Sequence, residues 1–414
     1  MNEPVVIMNL LKISIKNIFN KPLNTILSLM LFALGIGLIS FLLLLNKQVQ
    51  DKFDKNLAGI DLVMGAKGSP LQLILCSMYH IDAPTGNIKL KEVQPFLNPN
   101  HPLFSAAVPL SLGDSYQSYR IVGTNASFLN LYNAKIAKGK IFEQALEVVI
   151  GVQVADALHL TVGDTFKSNH GLQNDGMDHH HDQDFKVVGI LEASGSVTDQ
   201  LLLTSTESIW AVHETEHDHE NETEEEHAEH ENDKSITALL VKYRSRTNFQ
   251  ALNLPRNINE NTNMQAASPA IEIQRLYSMM DFGEKTLRLL ALVIIVVSGI
   301  SIFIALFNGL RERKYELSLM RVMGASKLQL FFLILAEAFL LAIFGALIGL
   351  FFSHILMQWL GQYLQTSYRY TFDAWKLLKE EGFLFLAALF IGLIAGIIPA
   401  IMAYKTDIAK ALKG

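Results

Sequence analysis

Four long apolar runs constrain this chain more than any other feature of its sequence. They cover residues 25–45, 287–309, 331–353 and 383–403. Each reaches the roughly 20 residues that a helix rising ~1.5 Å per residue needs to cross ~30 Å of hydrocarbon. Backbone inside lipid must satisfy its own polar groups, so each run is predicted to be a transmembrane helix. The first run lacks a small-residue cleavage site and is expected to remain as an anchor. Between the first two runs lies 46–284, long enough for one large domain or two smaller ones. The expected fold is therefore membrane α-helical, with four transmembrane helices and a large α+β extracytoplasmic domain between the first and second.

Basic residues set the orientation. Lys12, Lys16 and Lys21 precede the first run, and Arg311, Arg313, Lys314, Arg321 and Lys327 lie between the second and third. Lys405, Lys410 and Lys413 follow the fourth, whereas the 354–382 connection is charge-balanced. Positive flanks stay in the cytoplasm. Both termini, the 310–330 loop and the 404–414 tail are therefore expected there, in a bacterial inner membrane, with 46–284 and 354–382 on the periplasmic side. Within 1–24, Met8, Leu11, Ile15 and Ile18 fall at helical spacing opposite Asn9, Lys12, Lys16 and Asn20, which predicts an amphipathic helix lying on the cytoplasmic face of the bilayer. The third and fourth runs each carry a GxxxG, Gly345 with Gly349 and Gly392 with Gly396, spacings that let helix backbones approach closely in lipid. With four helices per chain, oligomerisation is the natural expectation.

The extracytoplasmic segment reads as mixed α and β. Strand-like runs at 61–64, 104–112, 116–122, 147–150, 185–191, 201–204 and 236–242 alternate with helical stretches at 71–79 and 152–160. Gly113-Asp114 reads as a hairpin turn, and the Asn-rich 255–269 as a loop. The GAKGS around Lys67 lacks the spacing of a phosphate-binding loop, so any ATP must bind a separate subunit. One cysteine, Cys76, excludes an internal disulfide. No nucleic-acid partner is expected.

Nine of the 13 histidines lie between His170 and His230, in two polar inserts at 169–184 and 213–233. The first holds His170, His179, His180 and His181 and separates two strand-like runs, so it reads as a hairpin tip. The second holds His213, His217, His219, His227 and His230 with 11 acidic residues. The chain's net charge is −6, so everything outside that insert carries +5. Dense imidazole with carboxylate suits Zn²⁺, Cu²⁺ or Ni²⁺. His213 with His217 and His227 with His230 could each chelate from one helical turn. The competing readings are a tolerated low-complexity insertion and pH sensing near the ~6.5 titration of histidine. HETEH matches the metalloprotease HExxH only in letters, since it sits in an acidic low-complexity run rather than a core helix.

The stretch 310–352, LRERKYELSLMRVMGASKLQLFFLILAEAFLLAIFGALIGLFF, closely resembles the signature of the FtsX-like, MacB-type ABC transporter permeases. The matching positions are Arg311, Arg313, Glu316, Met320, Arg321, Gly324, Ala325 and Glu337. Pro399, Ala400, Ala403, Asp407 and Leu412 match the family's ending. The segments EVVIGVQVADALHLTVGDTF and FKVVGILEASGSVTDQLLL look like its periplasmic domain, and lipoprotein-releasing permeases are similar too. The histidine inserts stand outside this pattern.

The resemblance implies a permease subunit, in a homodimer or a heterodimer, docked to a cytoplasmic ABC ATPase that holds ATP and Mg²⁺. The chain itself would be no enzyme. Arg311, Glu312, Arg313, Glu316, Met320, Arg321, Gly324 and Ala325 would form the coupling element, with Leu319, Met320 and Met323 filling a groove on the ATPase. Glu337, inside the third run, is expected to face other helices. The implied mechanism is mechanotransmission, in which ATPase closure reshapes the external domain. Its tasks include export with a periplasmic partner, lipoprotein release or a zinc-linked process; the rival is a non-transport relay to a periplasmic protein.

Overall fold

The computed structural model describes residues 14–16, 22–170, 180–214, 234–368 and 371–405. Most of the expected amphipathic helix, including Met8, Leu11 and Ile18, lies outside the described residues, although 14–16 are helical. So do Asp407, Lys410, Leu412 and Lys413, and His179, His217, His219, His227 and His230. The chain forms two compact units, 50–279 and 1–49 with 280–414. Helix α1 (Pro22–Asn56) passes through the first boundary between them.

The 50–279 unit contains twelve strands among its described residues. These are β1 (Leu62–Ala66), β2 (Ile88–Lys89), β3 (Phe104–Tyr116), β4 (Tyr119–Thr124), β5 (Ile136–Gly139) and β6 (Glu147–Ile150), followed by β7 (Thr165–His170), β8 (His180–Leu191), β9 (Leu202–Ser205), β10 (Ser235–Ile236), β11 (Ala238–Tyr243) and β12 (Met264–Ala267). Its main helices are α2 (Pro70–Met78), α3 (Val152–Leu158), α4 (Thr206–Glu214) and α5 (Phe249–Asn261). The large sheet runs β12-β1-β11-β3-β4-β9-β6-β8-β5, and β7 pairs both β3 and β8. Strands β3, β4, β9, β6, β8 and β7 thus make a closed ring of pairings. Among the described strands, only β4 with β9 and β6 with β8 pair parallel. Ile121, Val148, Phe166, Phe185 and Val187 of the ring pack with Ile209 and Val212 of α4 in one apolar cluster.

Two local expectations are corrected. Gly113-Asp114 is not a turn: it lies inside β3, where the register against β4 shifts between Leu112 and Ser115. The turn is Gln117-Ser118, both at positive φ (45° and 66°), the backbone that matches strand twist in a tight hairpin. Glycine in a strand marks a bulge as readily as a turn. The Asn-rich segment is not a loop either. Asn248 caps α5 by accepting from the Gln250 N–H, Ala251 and Ile258 bury one face, and Asn259 accepts from Ala266 N (2.6 Å) and donates to Ala266 O (2.9 Å), holding β12 beside the helix.

The inserts are also narrower than their composition suggests. Asn169 and His170 belong to β7, His180–Asp184 to β8, and His213 to α4. The β7 and β8 strands that flank 171–179 pair antiparallel.

The other unit contains most of α6 (Pro269–Glu312), then α7 (Lys314–Val322), α8 (Lys327–Tyr368) and α9 (Lys379–Tyr404). Four helices, α1, α6, α8 and α9, are long and apolar enough to cross a membrane. Their shared core includes Phe32, Ile36, Ile302, Leu341 and Ala388. The GxxxG glycines are used inside the chain. A Cβ at Gly349 would stand 2.5 Å from the Ala33 carbonyl oxygen, and one at Gly345 2.7 Å from Phe32, so α8 lies directly on α1. Cβ atoms at Gly392 and Gly396 would meet Ala342 and Ala338 at 2.3 and 2.5 Å, so α9 lies on α8. These glycines serve helix packing within the chain.

Candidate coupling elements

The connection between the second and third spans folds as a helix with built stops at both ends. Arg313 leaves helical geometry between α6 and α7. At the far end Gly324 adopts φ +105°, Gly324 N donates to Arg321 O and Ala325 N to Met320 O (2.9 Å). This is the glycine-terminated helix end in which the residue past the cap must be left-handed, which accounts for Gly324-Ala325. Ser326 and Gln329 then cap α8 reciprocally, Gln329 N donating to Ser326 Oγ and Ser326 N to Gln329 Oε1.

The two faces of α7 differ. Leu317 and Ser318 are buried, and Met320 packs partly into a cluster with Leu310, Leu330 and Leu333. Tyr315, Leu319, Val322 and Met323, spaced as one helical stripe, are 43–72% exposed. Of the three residues expected to fill a groove, Leu319 and Met323 face outward and Met320 faces its own core. The charged residues divide likewise. Arg311, Glu312 and Glu316 are exposed and Arg321 is half-buried, its Nε without a hydrogen-bond partner among the described residues. Arg313 turns inward: its Nη2 lies 3.1 Å from Glu337 Oε1 on α8. Glu337 is buried and faces another element, with Arg313 as its countercharge.

Other polar groups of the bundle bond to one another. Ser28 Oγ lies 3.0 Å from Ser301 Oγ, and Ser298 Oγ donates to Leu31 O. Ser40 Oγ is 2.7 Å from Ser353 Oγ and donates to Glu381 Oε1 (2.7 Å). His354 Nδ1 donates to Ala374 O (2.6 Å), and its Nε2 faces Glu381 Oε1 at 3.4 Å. This buried cluster joins α1, α8 and α9, and the sequence reading did not single it out. Its one available signal was a glutamate in the charge-balanced 354–382 connection, next to the fourth apolar run.

In the other unit the end of α1 is held by the domain. Asn56 is buried and its Oδ1 accepts from Val197 N (2.8 Å). Val197 belongs to a turn gathered by Asp199, whose carboxylate accepts from Ser194 N, Ser194 Oγ and Gly195 N. Phe53 packs against the rings of Tyr79 and Tyr277, at centroid distances of 4.6 and 6.1 Å. The ends of α1 and α6 therefore enter the same core as α2.

Among the expected metal ligands, His213 Nε2 lies 3.3 Å from Asp114 Oδ1, and His180 and His181 open β8. No group of three His, Cys, Asp or Glu side chains able to hold a metal occurs among the described residues.

Residues 25–253 match the model of the MacB-like periplasmic core domain, and 288–408 that of the FtsX-like permease C-terminal region. No curated protein shows significant similarity to the chain. Among solved structures, the periplasmic region of MacB from Actinobacillus actinomycetemcomitans aligns with a TM-score of 0.34 and 11% identity, over 55% of this chain and 98% of its own. A permease-protein domain from Porphyromonas gingivalis aligns with a TM-score of 0.27 and 13% identity, over 51% of this chain and 89% of its own.

Proposed function

The chain belongs to the FtsX-like, MacB-type permeases, membrane components of ABC transporters that work with ABC ATPase partners, and from this premise we propose that it acts by mechanotransmission. In this reading α7 docks in a groove of a cytoplasmic ATPase, which binds ATP and Mg²⁺ and performs the hydrolysis. Both termini of the permease are cytoplasmic, and the 50–279 unit is periplasmic. The observation that carries the proposal is the exposed stripe Tyr315, Leu319, Val322 and Met323 on a helix whose other face is anchored. Positive-inside retention explains basic residues in such a loop but not an apolar stripe.

The bundle supports movement rather than a hydrophilic path, because Ser28, Ser40, Ser298, Ser353 and Glu381 are engaged in bonds between helices or with backbone. The anchoring of Asn56 and Phe53 supports α1 as the lever, with α6 as its companion. The working unit is a dimer of permeases with two ATPases, and a periplasmic protein receives the motion. The histidine-rich inserts favour a metal-linked process over lipoprotein release or a relay to a periplasmic partner.

The test is reconstitution in nanodiscs with the partner ABC ATPase. Stimulated ATP hydrolysis, with a nucleotide-dependent change of a fluorophore placed at Ser127 of the external unit, is the expected result. An ATPase that neither binds nor is stimulated would overturn the reading. Solute accumulation in sealed vesicles separates transport from a relay.

A further inference from the structure

The connection between the third and fourth spans doubles back along α8. A Cβ on Gly361 would stand 3.4 Å from Phe372 Cβ, whereas Ala374 O accepts from His354 Nδ1 (2.6 Å). The Trp375 ring then stacks on His354 at a centroid distance of 5.8 Å and lies 6.4 Å from the ring of Phe351. From Gly361 to Phe351 the helix covers about 15 Å at ~1.5 Å per residue. Phe351 belongs to the apolar run 331–353, so Trp375 comes back to the end of a span.

The main chain of this connection is satisfied from within the protein. Gln48 of α1 is buried, accepts from Asp373 N (2.8 Å) and donates to Asp373 O (2.9 Å). Trp375 N donates to Asp373 Oδ1 (3.0 Å), and Leu378 N to Glu381 Oε2 (3.0 Å). The side chains point the other way. Trp375 is 56% exposed and Leu377 81%, with Phe383 of α9 exposed as well. Bonded backbone with outward apolar side chains is what a segment needs at the edge of hydrocarbon, where unpaired peptide groups are costly. A loop in water needs neither. Indole favours the headgroup level, where its ring is apolar and its N–H is wet. Lys376 and Lys379 are exposed in the same segment, and their long stems suit ammonium groups lying among headgroups.

We infer that the 371–378 connection is a membrane-surface anchor, with Trp375 and Leu377 inserted at the headgroup-to-acyl boundary of the leaflet at this end of the bundle. Lipid is the occupant because the exposed faces of the spans run into this surface without a break, through Phe351 and Phe352 of α8 and Phe383 of α9. Through Gln48 the anchor also sets the depth of α1 in the bilayer. The inference goes beyond the permease reading and does not rest on ATPase coupling, because lipid contact is measured on the permease alone.

The chain has three tryptophans, so Trp210→Phe/Trp359→Phe leaves Trp375 as the sole indole. The full-length variant is placed in nanodiscs of phosphatidylcholine brominated near the headgroup end of its acyl chains, near mid-bilayer, or not at all. Shallow bromine is expected to remove most of the Trp375 emission and deep bromine much less, with only weak quenching by aqueous iodide. Trp359→Phe/Trp375→Phe, which keeps Trp210, serves as the control that neither brominated lipid quenches. Trp210→Phe alters the 50–279 unit, so a nitroxide on Leu377→Cys, with every tryptophan kept, supplies a second readout. Oxygen is expected to relax that nitroxide more than a soluble nickel chelate does. Strong iodide quenching without bromine quenching would put the connection in water, and shielding from both would put a second permease or another protein over it. Either result overturns the proposal, as does a nitroxide relaxed more by the nickel chelate than by oxygen.

Discussion

Arg313 and Glu337 form an ion pair between the start of α7 and the body of α8, Nη2 to Oε1 3.1 Å, with side chains 16% and 7% exposed. The pair fixes where α7 begins and turns Arg313 inward, away from the exposed face of the helix. Removing one partner of a buried pair strands the other charge and costs ~3–5 kcal/mol, whereas an apolar replacement of both is often tolerated. Glu337→Leu and Arg313→Met are each expected to lower the thermal unfolding temperature and ATPase stimulation, and the double variant to recover much of the stability. Additive losses in that cycle would show that the two residues act separately.

The glycine contacts lead to a prediction about packing. A Cβ at Gly349 would lie 2.5 Å from Ala33 O, so Gly349→Val must part α8 from α1. Overpacking of this kind costs ~1–3 kcal/mol or more. Reduced thermal stability with unchanged oligomeric state by light scattering is expected; a change of oligomeric state at full stability would place this face between protomers instead.

His80 is expected to make the 50–279 unit sensitive to acid. Burial, and then the Arg120 charge, hold its pKa well below 6.5. Below about pH 6.5 the unfolded chain takes up a proton that the folded state excludes, so the stability present above that pH is lost as pH falls. The unfolding temperature of His80→Asn, a residue that tolerates the left-handed backbone here (φ 53°), is expected to fall less than that of the parent between pH 7.5 and 5.5. Parallel curves would remove His80 from the acid response.

Cys76 is buried, and desolvation raises its pKa above 9.0 despite the Arg120 Nη1 contact at 3.3 Å. Thiolate is the reactive form. Maleimide at pH 7.5 is expected to label the unfolded chain and spare the native one, leaving introduced cysteines as the only reactive positions. Rapid native labelling would show that this core opens.

The spans were legible because an apolar run of membrane length has one common outcome, and the motif around Gly324 carried the family. Partners across the fold were not. Nothing in the sequence pairs Arg313 with Glu337, because their meeting depends on how the start of α7 packs against α8. Gly113-Asp114 carries the letters of a turn, but the strand continues because Gln117-Ser118 supplies the positive φ angles a few residues later. The GxxxG spacings announced close helix contacts without saying that α1 and α8 would take them. Asp114 stood in neither histidine insert, and only the strand register brought it to His170 and the α4 contact to His213.

The central claim is that α7 docks the ATPase through its exposed stripe. Co-purification of the partner ABC ATPase with Leu319→Glu/Met323→Glu, set beside the parent permease and matched for folding by size-exclusion profile and unfolding temperature, is the deciding measurement. Loss of the complex and of stimulated ATP hydrolysis in a folded variant is the expected result. A variant that holds and stimulates the ATPase like the parent would contradict the account.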